Sequence, residues 1–294
     1  MGAITLSRNT VLIDRVAGKL GNAHTREAYR RAMCDFLAWH EQLGRPGLNA
    51  ALLRQYLNDL KHKGLGSSAI NQRLAAIRHL IDEAKESGVV SPILANEVKD
   101  VKGEKQRGER MGKWLSQKEA QALLRAADTS TLKGLRDRAI LACFLGCGLR
   151  RSEMGNLNVG QIQRREGRWV LLDIKGKGGR VRTIPMPGWC KEAIDAWTKG
   201  AKVTEGYLFR AISKGGEMGK RLSARALHNV VAAYADISPH DLRRTHAKLA
   251  YQGGAHLDQI QLTLGHASIA TTERYLGTEL ELHNAPGDHL GLRL

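Results

Sequence analysis

The stretch "SPHDLRRTHAKLAYQGG", Ser238 to Gly254, decides how the C-terminal part of this chain folds. Ser238 suits a helix cap, Pro239 the first helical position, and Gly253 the residue past the end, so the segment predicts one complete helix. Leu242, Leu249 and Ala250 turn toward a core. His240 and Arg243 are three apart and share a face. At a helix N-terminus, where backbone N–H groups also point outward, such a pair makes a site suited to a phosphate. A solvated surface pair is the competing reading of this segment alone.

Working outward, "HLDQIQLTL" predicts another helix, and "LGHASIATTERY" from Leu264 to Tyr275 predicts a short one with Ser268 as cap and Ile269 as anchor. Upstream, "RWVLLDIKGKGGRVRTIPM" is two β-rich segments joined by a Lys- and Gly-rich turn, a hairpin signal. Its Lys177 either reaches into a groove or sits on a soluble tip. Farther upstream, an apolar helix from about Asp137 to Cys147 carries Cys143 and Cys147 on one buried face as small hydrophobes. Gly148 then turns the chain into Arg150 and Glu153, so that rigid structure holds the arginine, as a preorganised charge requires. An ion pair of Arg150 or Arg151 with Glu153 is the alternative. Ser116, three residues before Glu119, has capping-box spacing ahead of Ala120, Leu123 and Leu124.

The N-terminal part reads as helices separated by glycine-rich breaks. In "SSAINQRLAAIRHLIDEAKESG" Ile70, Leu74, Ile77 and Ile81 form one stripe, Ser67 or Ser68 caps the start and Gly88 marks the end. In "HTREAYRRAMCDFLAWHEQLG" Thr25 is the expected cap, with Ala28, Phe36 and Trp39 inside. The polar faces leave Arg26, Arg30, Asn71, Arg73 and Arg78 to grip phosphates. "DVKGEKQRGERMGKW" has a linker composition. The expected organisation is a helical domain over 1–103, a basic linker over 104–112 and a second domain over 113–294, mostly α with one small antiparallel sheet.

Lys plus Arg number 46 against 29 Asp plus Glu, a net charge of +17, which makes a nucleic acid the first partner to consider. The basic residues are spread through mixed-sign segments with no lipid-anchor motif, which argues against a membrane surface. No signal peptide and no transmembrane window of roughly 18 apolar residues is found, so the protein is expected in the cytoplasm, with the DNA. Four cysteines show no C-x-x-C pair and no zinc spacing, and H-E-x-x-H is absent, so no metal and no cofactor is expected.

Taken in order, "GLRRSE", "IKGKGGRVRTIPM", "PHDLRRTHA" and "LGHASIATTERY" resemble the boxes of the tyrosine recombinases, the phage-integrase family. The resemblance covers residues 111–294, and the helical N-terminal part is more loosely similar to that family's core-binding, SAM-like domain. It implies a two-domain C-shaped DNA clamp and a site-specific recombinase that breaks and rejoins DNA through a covalent 3′-phosphotyrosine, without ATP. By the same resemblance Tyr275 is the nucleophile, Arg150 and Arg243 stabilise the phosphate, Lys177 protonates the departing 5′-oxygen, His240 acts as general base or acid, and His266 donates to the scissile phosphate. Glu153 orients the site, while Lys175 and Arg244 contact DNA. The implied partners are a double-stranded recombination site and further copies of the chain, a tetramer on synapsed DNA and a monomer or dimer when free. The tail after Tyr275, with Leu290, Leu292 and Leu294, is long enough to dock on a neighbour, and the N-terminus leaves no room for an arm-binding domain, which favours a simple site. A type IB topoisomerase and a binding-only accessory protein are the alternatives. The residues leave open whether the task, on a mobile element or elsewhere, is integration, excision, resolution of multimers or cassette shuffling.

Overall fold

The computed structural model describes residues 6–21, 23–105, 113–176, 179–213 and 215–276. The chain divides into two compact units, Met1–Arg110 and Met111–Leu294.

The first unit contains α1 (Leu6–Gly18), α2 (Ala23–Gln42), α3 (Ala50–His62), α4 (Ser67–Glu86) and α5 (Pro92–Asp100). Helix α4 is its spine because it carries two apolar stripes. Ile70, Leu74, Ile77 and Ile81 pack with Phe36, Leu53, Tyr56 and Leu57. Ala76, Leu80 and Ala84 pack with Leu12, Ile13, Val16 and Met33. Each large aliphatic side chain buried in this way contributes about 1.5–3 kcal/mol.

Two helix starts differ from expectation. Helix α2 begins at Ala23, so Thr25 lies inside its first turn. Helix α4 begins at Ser67 behind an extended Gly66, whose carbonyl accepts from Ile70 N at 3.1 Å, so neither serine caps it.

The second unit contains α6 (Gln117–Arg125), α7 (Leu132–Cys147), α8 (Arg151–Gly155), strands β1 (Ile162–Arg165), β2 (Arg168–Lys175) and β3 (Val181–Met186), then α9 (Gly188–Ala201), α10 (Ala224–Ala232), α11 (Pro239–Gln252), α12 (Leu257–Leu264) and α13 (Ile269–Leu276). The capping box at Ser116 and Glu119 forms as its spacing predicts. Helix α7 starts at Leu132, earlier than expected, because Thr131 caps Gly134 N at 3.0 Å. From Ala139 onward it is apolar on all sides and runs through the core, with Ile140, Leu141, Phe144 and Cys147 fully enclosed. Cys190 Sγ lies 3.8 Å from Cys143 Sγ and 4.0 Å from Cys147 Sγ, and all three are free thiols packed as hydrophobes.

The hairpin is present, and a third strand joins it in the order β1-β2-β3, all antiparallel. Leu171 pairs with Ile184 and Ile174 with Arg182, so β2 carries one extra residue between them, a bulge. The bulge keeps Ile174 inside while Arg182, Ile184 and Met186 share the inner phase of β3.

Among the described residues no helix is long and apolar enough to cross a membrane. The expected linker residues 106–112 and the tail 277–294 lie outside the described residues.

Candidate active site

Four helix ends, one strand and one short helix converge on a single cluster. Helix α7 closes on Gly148 in the left-handed region (φ 56°), and a Cβ there would meet His246 Cδ2 at 2.7 Å. Only glycine lets the chain turn so closely. The turn delivers Arg150 to the start of α8, where its backbone N–H and Nη1 each donate to the Glu153 carboxylate at 2.8 Å. Arg150 Nη2 reaches the Gly265 carbonyl at 3.0 Å. The expected ion pair is therefore formed by Arg150, and it orients the guanidinium as well as pairing it.

Glu153 is also held from β3. Arg182 donates to it through Nη1 and Nη2, both at 2.9 Å, and through Nε to the Thr263 carbonyl at 2.8 Å. Burial works against the Glu153 charge, but the bonds from Arg182 and Arg150 outweigh it and hold the carboxyl below its ordinary range. Gly265, at φ 63°, leaves room for Arg182, whose Cδ and Nε would lie 3.1 Å from an added Cβ.

Helix α11 starts as its sequence predicts. Ser238 Oγ accepts from Asp241 N at 3.3 Å, the Asp241 carboxylate accepts from Ser238 N at 2.9 Å, and Pro239 occupies the first turn. That start aims His240 outward and Arg243 inward. Arg243 is 2 % exposed and donates to the carbonyls of Gly148 and Leu264, joining the ends of α7 and α12. Burial and then the Arg150 charge bring its pKa down to about 10, so it remains a cation at neutral pH. Two carbonyl bonds fix its plane and leave the other donors of its fork for a ligand. His246, six residues beyond His240 on α11, bonds the Leu145 carbonyl through Nδ1 at 2.7 Å and has a structural place.

Tyr275 rides on α13, anchored by Leu276 in a small apolar cluster with Ala247, Ile260 and Leu264. Ile269, expected as the anchor, is 43 % exposed, because Leu276 and the buried Thr272 take the inner face. The Tyr275 ring stands edge-on to His240 at 5.4 Å and to His266 at 5.2 Å between centroids. Its hydroxyl donates to the His240 carbonyl at 3.2 Å, and Arg244 stacks over the ring at 5.0 Å. Burial raises the phenol pKa, while Arg243 and Arg244 pull it back.

His266 Nδ1 lies 3.0 Å from Thr272 Oγ1. Burial first, then Arg243 and Arg150, lower its pKa to about 4. Partial desolvation, followed by the charges of Arg244 and Arg243, also lowers that of His240. Both rings are therefore neutral at pH 7. The cluster joins Arg150, Arg182, Arg243 and Arg244 to two neutral imidazoles and a phenol. A phosphodiester fits this excess of fixed positive charge, with a nucleophile and a proton acceptor beside it.

The cluster thus gathers Arg150, Glu153, His240, Arg243, Arg244, His266 and Tyr275. Lys177 lies outside the described residues, and Lys175 is exposed at the end of β2. The other phenols stand elsewhere: Tyr234 bonds Asp137 at 3.2 Å and Tyr251 is an exposed residue of α11. In the first unit Arg26 is exposed and Arg30 pairs with Asp14. Arg73 pairs with Asp35 at 3.3 Å, and Arg78 donates to the carbonyls of Lys99 and Val101. Asn71 exchanges two bonds with the Glu104 backbone at 2.8 and 2.9 Å. Sequence reasoning missed Arg182 and Thr272. The signal for Arg182 was an arginine in the same phase as Ile184 and Met186.

A helical unit joined to an α+β unit that turns arginines, histidines and one tyrosine onto a single site is the construction of a site-specific tyrosine recombinase. The chain belongs to the phage integrase family: the family's catalytic model matches residues 113–280, and the phage integrase N-terminal SAM-like domain matches residues 21–88. It is similar to the tyrosine recombinase XerC of Pelobacter propionicus, 33 % identical over 268 residues covering 88 % of this chain and 86 % of that protein. It is also similar to the XerC of Pseudomonas fluorescens, 30 % identical over 264 residues, with 86 % and 85 % covered. In fold it resembles the XerH recombinase bound to palindromic difH in a post-cleavage complex, with TM-score 0.71 at 19 % identity, covering 94 % of this chain and 82 % of that one. A lambda integrase dimer bound to a COC′ core site gives TM-score 0.67 at 17 % identity, covering 92 % and 79 %.

Proposed function

We propose that the chain cuts and rejoins DNA through a covalent bond between Tyr275 and a 3′-phosphate. Tyr275 Oη attacks phosphorus, the P–O5′ bond breaks, and a 5′-hydroxyl leaves. The 5′-hydroxyl of a partner strand reverses the step, so no ATP is consumed. A free tyrosine has a pKa of about 10, so roughly one molecule in a thousand is phenolate at pH 7. Burial pushes Tyr275 higher still, so the attack needs a base. His240 has a neutral ring and takes the proton.

Arg150 and Arg243 carry the charge that gathers on the non-bridging oxygens, and their fixed bonds mean they need no reorientation as it develops. Glu153 orients Arg150. His266 donates to the same phosphate. Lys177, on the resemblance of its "GKG" box, protonates the 5′-oxygen. The observation that carries this reading is Tyr275 standing between His240 and His266 of its own chain, which favours attack within one subunit.

The partner is a double-stranded recombination site, a reading supported by the solved DNA complexes of XerH and lambda integrase. Residues 1–103 act as the core-binding domain, with Arg26 and Arg30 toward phosphates, while Asn71, Arg73 and Arg78 are taken up by internal partners. Residues 104–112 link it to the catalytic domain, where Lys175 and Arg244 add contacts. Strand exchange takes four copies on two duplexes, in the cytoplasm where the DNA lies.

The test is incubation with nicked suicide DNA carrying the site, in which the cleaved fragment diffuses away. Wild type accumulates a covalent adduct and Tyr275→Phe accumulates none. An adduct retained by Tyr275→Phe contradicts the reading.

A further inference from the structure

Thr272 lies on α13, three residues before Tyr275, and is fully buried. Among the described residues the hydrogen-bond partner of its Oγ1 is His266 Nδ1, at 3.0 Å. Two arrangements of the proton fit that distance. If His266 Nδ1 carries the hydrogen, the threonine hydroxyl must accept it, and its own hydrogen is left buried without an acceptor. If the threonine donates, both groups are satisfied. A buried donor without a partner is the costlier state, so the second arrangement is selected.

The ring is neutral, because burial and the nearby arginines oppose protonation. A neutral imidazole that accepts at Nδ1 carries its single hydrogen on Nε2. The main chain cannot swing away, since His266 N donates to the Gln261 carbonyl at 3.2 Å and Gln261 Nε2 donates to the His266 carbonyl at 3.3 Å. No partner for Nε2 is found among the described residues.

We propose that Thr272 is a positioning residue that fixes His266 as the Nε2–H tautomer and so makes its donor state depend on the seating of the nucleophile helix. The same short helix then brings two things at once, the phenol that attacks and the hydroxyl that turns His266 into a donor. With α13 displaced, His266 loses its Nδ1 partner and with it the bond that enforces Nε2–H. The proposal rests on the function given above, and supplies a reason for the donor role of His266 within it.

The test uses the full chain labelled with ¹⁵N-histidine, and His266 is identified by its loss in His266→Gln. Long-range ¹H–¹⁵N correlation at pH 7 is expected to show the Nε2–H tautomer alone in wild type and in Thr272→Ser, and a mixture with Nδ1–H in Thr272→Val, which has the same shape without a hydroxyl. Single-turnover cleavage of nicked DNA should fall by up to about 10²-fold in Thr272→Val, with DNA affinity retained, and recover in Thr272→Ser. An Nδ1–H tautomer in wild type overturns the proposal, and that spectrum needs no variant to fold. A Thr272→Val protein with the wild-type spectrum overturns it as well, and a shifted spectrum with an unchanged rate overturns its link to catalysis. A wild type that forms no covalent adduct instead contradicts the proposed function, and the tautomer spectrum still decides the Thr272 assignment.

Discussion

Arg182 grips Glu153 through two parallel N–H···O bonds of 2.9 Å each. The Glu153 side chain is 1 % exposed and that of Arg182 12 %, so the pair is withdrawn from water. Removing one partner of a buried pair costs about 3–5 kcal/mol, because the other charge is left uncompensated. Arg182→Ala is expected to lose less than that in chemical denaturation, because Glu153 keeps its two bonds from Arg150. Arg182→Lys should not restore it, since one ammonium cannot make two parallel bonds and also reach the Thr263 carbonyl. An unchanged unfolding midpoint in the alanine variant would remove the pair from the account.

Arg243 has two tasks, and its loss should show in two measurements. Truncation to alanine removes a charge aimed at the phosphate, and losing one preorganised donor typically costs 10²- to 10³-fold in rate, roughly. It also leaves the Gly148 and Leu264 carbonyls without their guanidinium donor, at about 1–3 kcal/mol for each group left unsatisfied. Single-turnover cleavage and thermal unfolding of Arg243→Ala should both fall, and a stable variant with wild-type rate would contradict both tasks.

The histidines set an acid limit on stability. His266 has a pKa near 4 in the folded chain against an ordinary 6.5, so between those values the unfolded chain binds a proton that the folded chain excludes. Stability therefore rises with pH through this window, is fully present above about 6.5 and declines as pH falls toward 4. His240 and His246 are lowered in the same direction. Tm measured from pH 7 down to 4 should drop, with a shallower drop in His266→Gln. A flat profile would contradict the desolvation described for these rings.

Phosphate contacts and internal contacts of the first unit are separable by salt. Affinity for DNA should fall steeply with salt concentration, and Arg26→Ala should reduce the slope by about 1. Arg78 donates to the Lys99 and Val101 carbonyls, so Arg78→Ala should lower stability and leave the slope close to that of wild type. Equal slopes for the two variants would contradict the division.

Much of this arrangement was legible in the sequence where local rules decide it. Ser238, Pro239 and Gly253 bound α11, Ser116 and Glu119 build their box, and the Ile70 to Ile81 stripe is the core face of α4. The residues of the site lie far apart in the chain but each sits at an element end that its own neighbours specify. What was hidden depended on partners distant in sequence. Asn71, Arg73 and Arg78 look like a free polar face until Glu104, Asp35 and Val101 come against them. Strand β1, "IQRR", is too short and polar to announce itself, and pairs because β2 offers an edge. Arg182 was concealed because its partner Glu153 lies 29 residues away in the chain, and Thr272 because one hydroxyl in "ATTERY" has no local signature.

The central claim is that Tyr275 forms the bond to DNA, and the most direct measurement is mass spectrometry of the trapped adduct after digestion of protein and DNA. The account predicts a nucleotide joined through its 3′-phosphate to the peptide that carries Tyr275, with a free 5′-hydroxyl on the released strand. A nucleotide on the peptide of Tyr234 or Tyr251, or one joined through its 5′-phosphate, would contradict it.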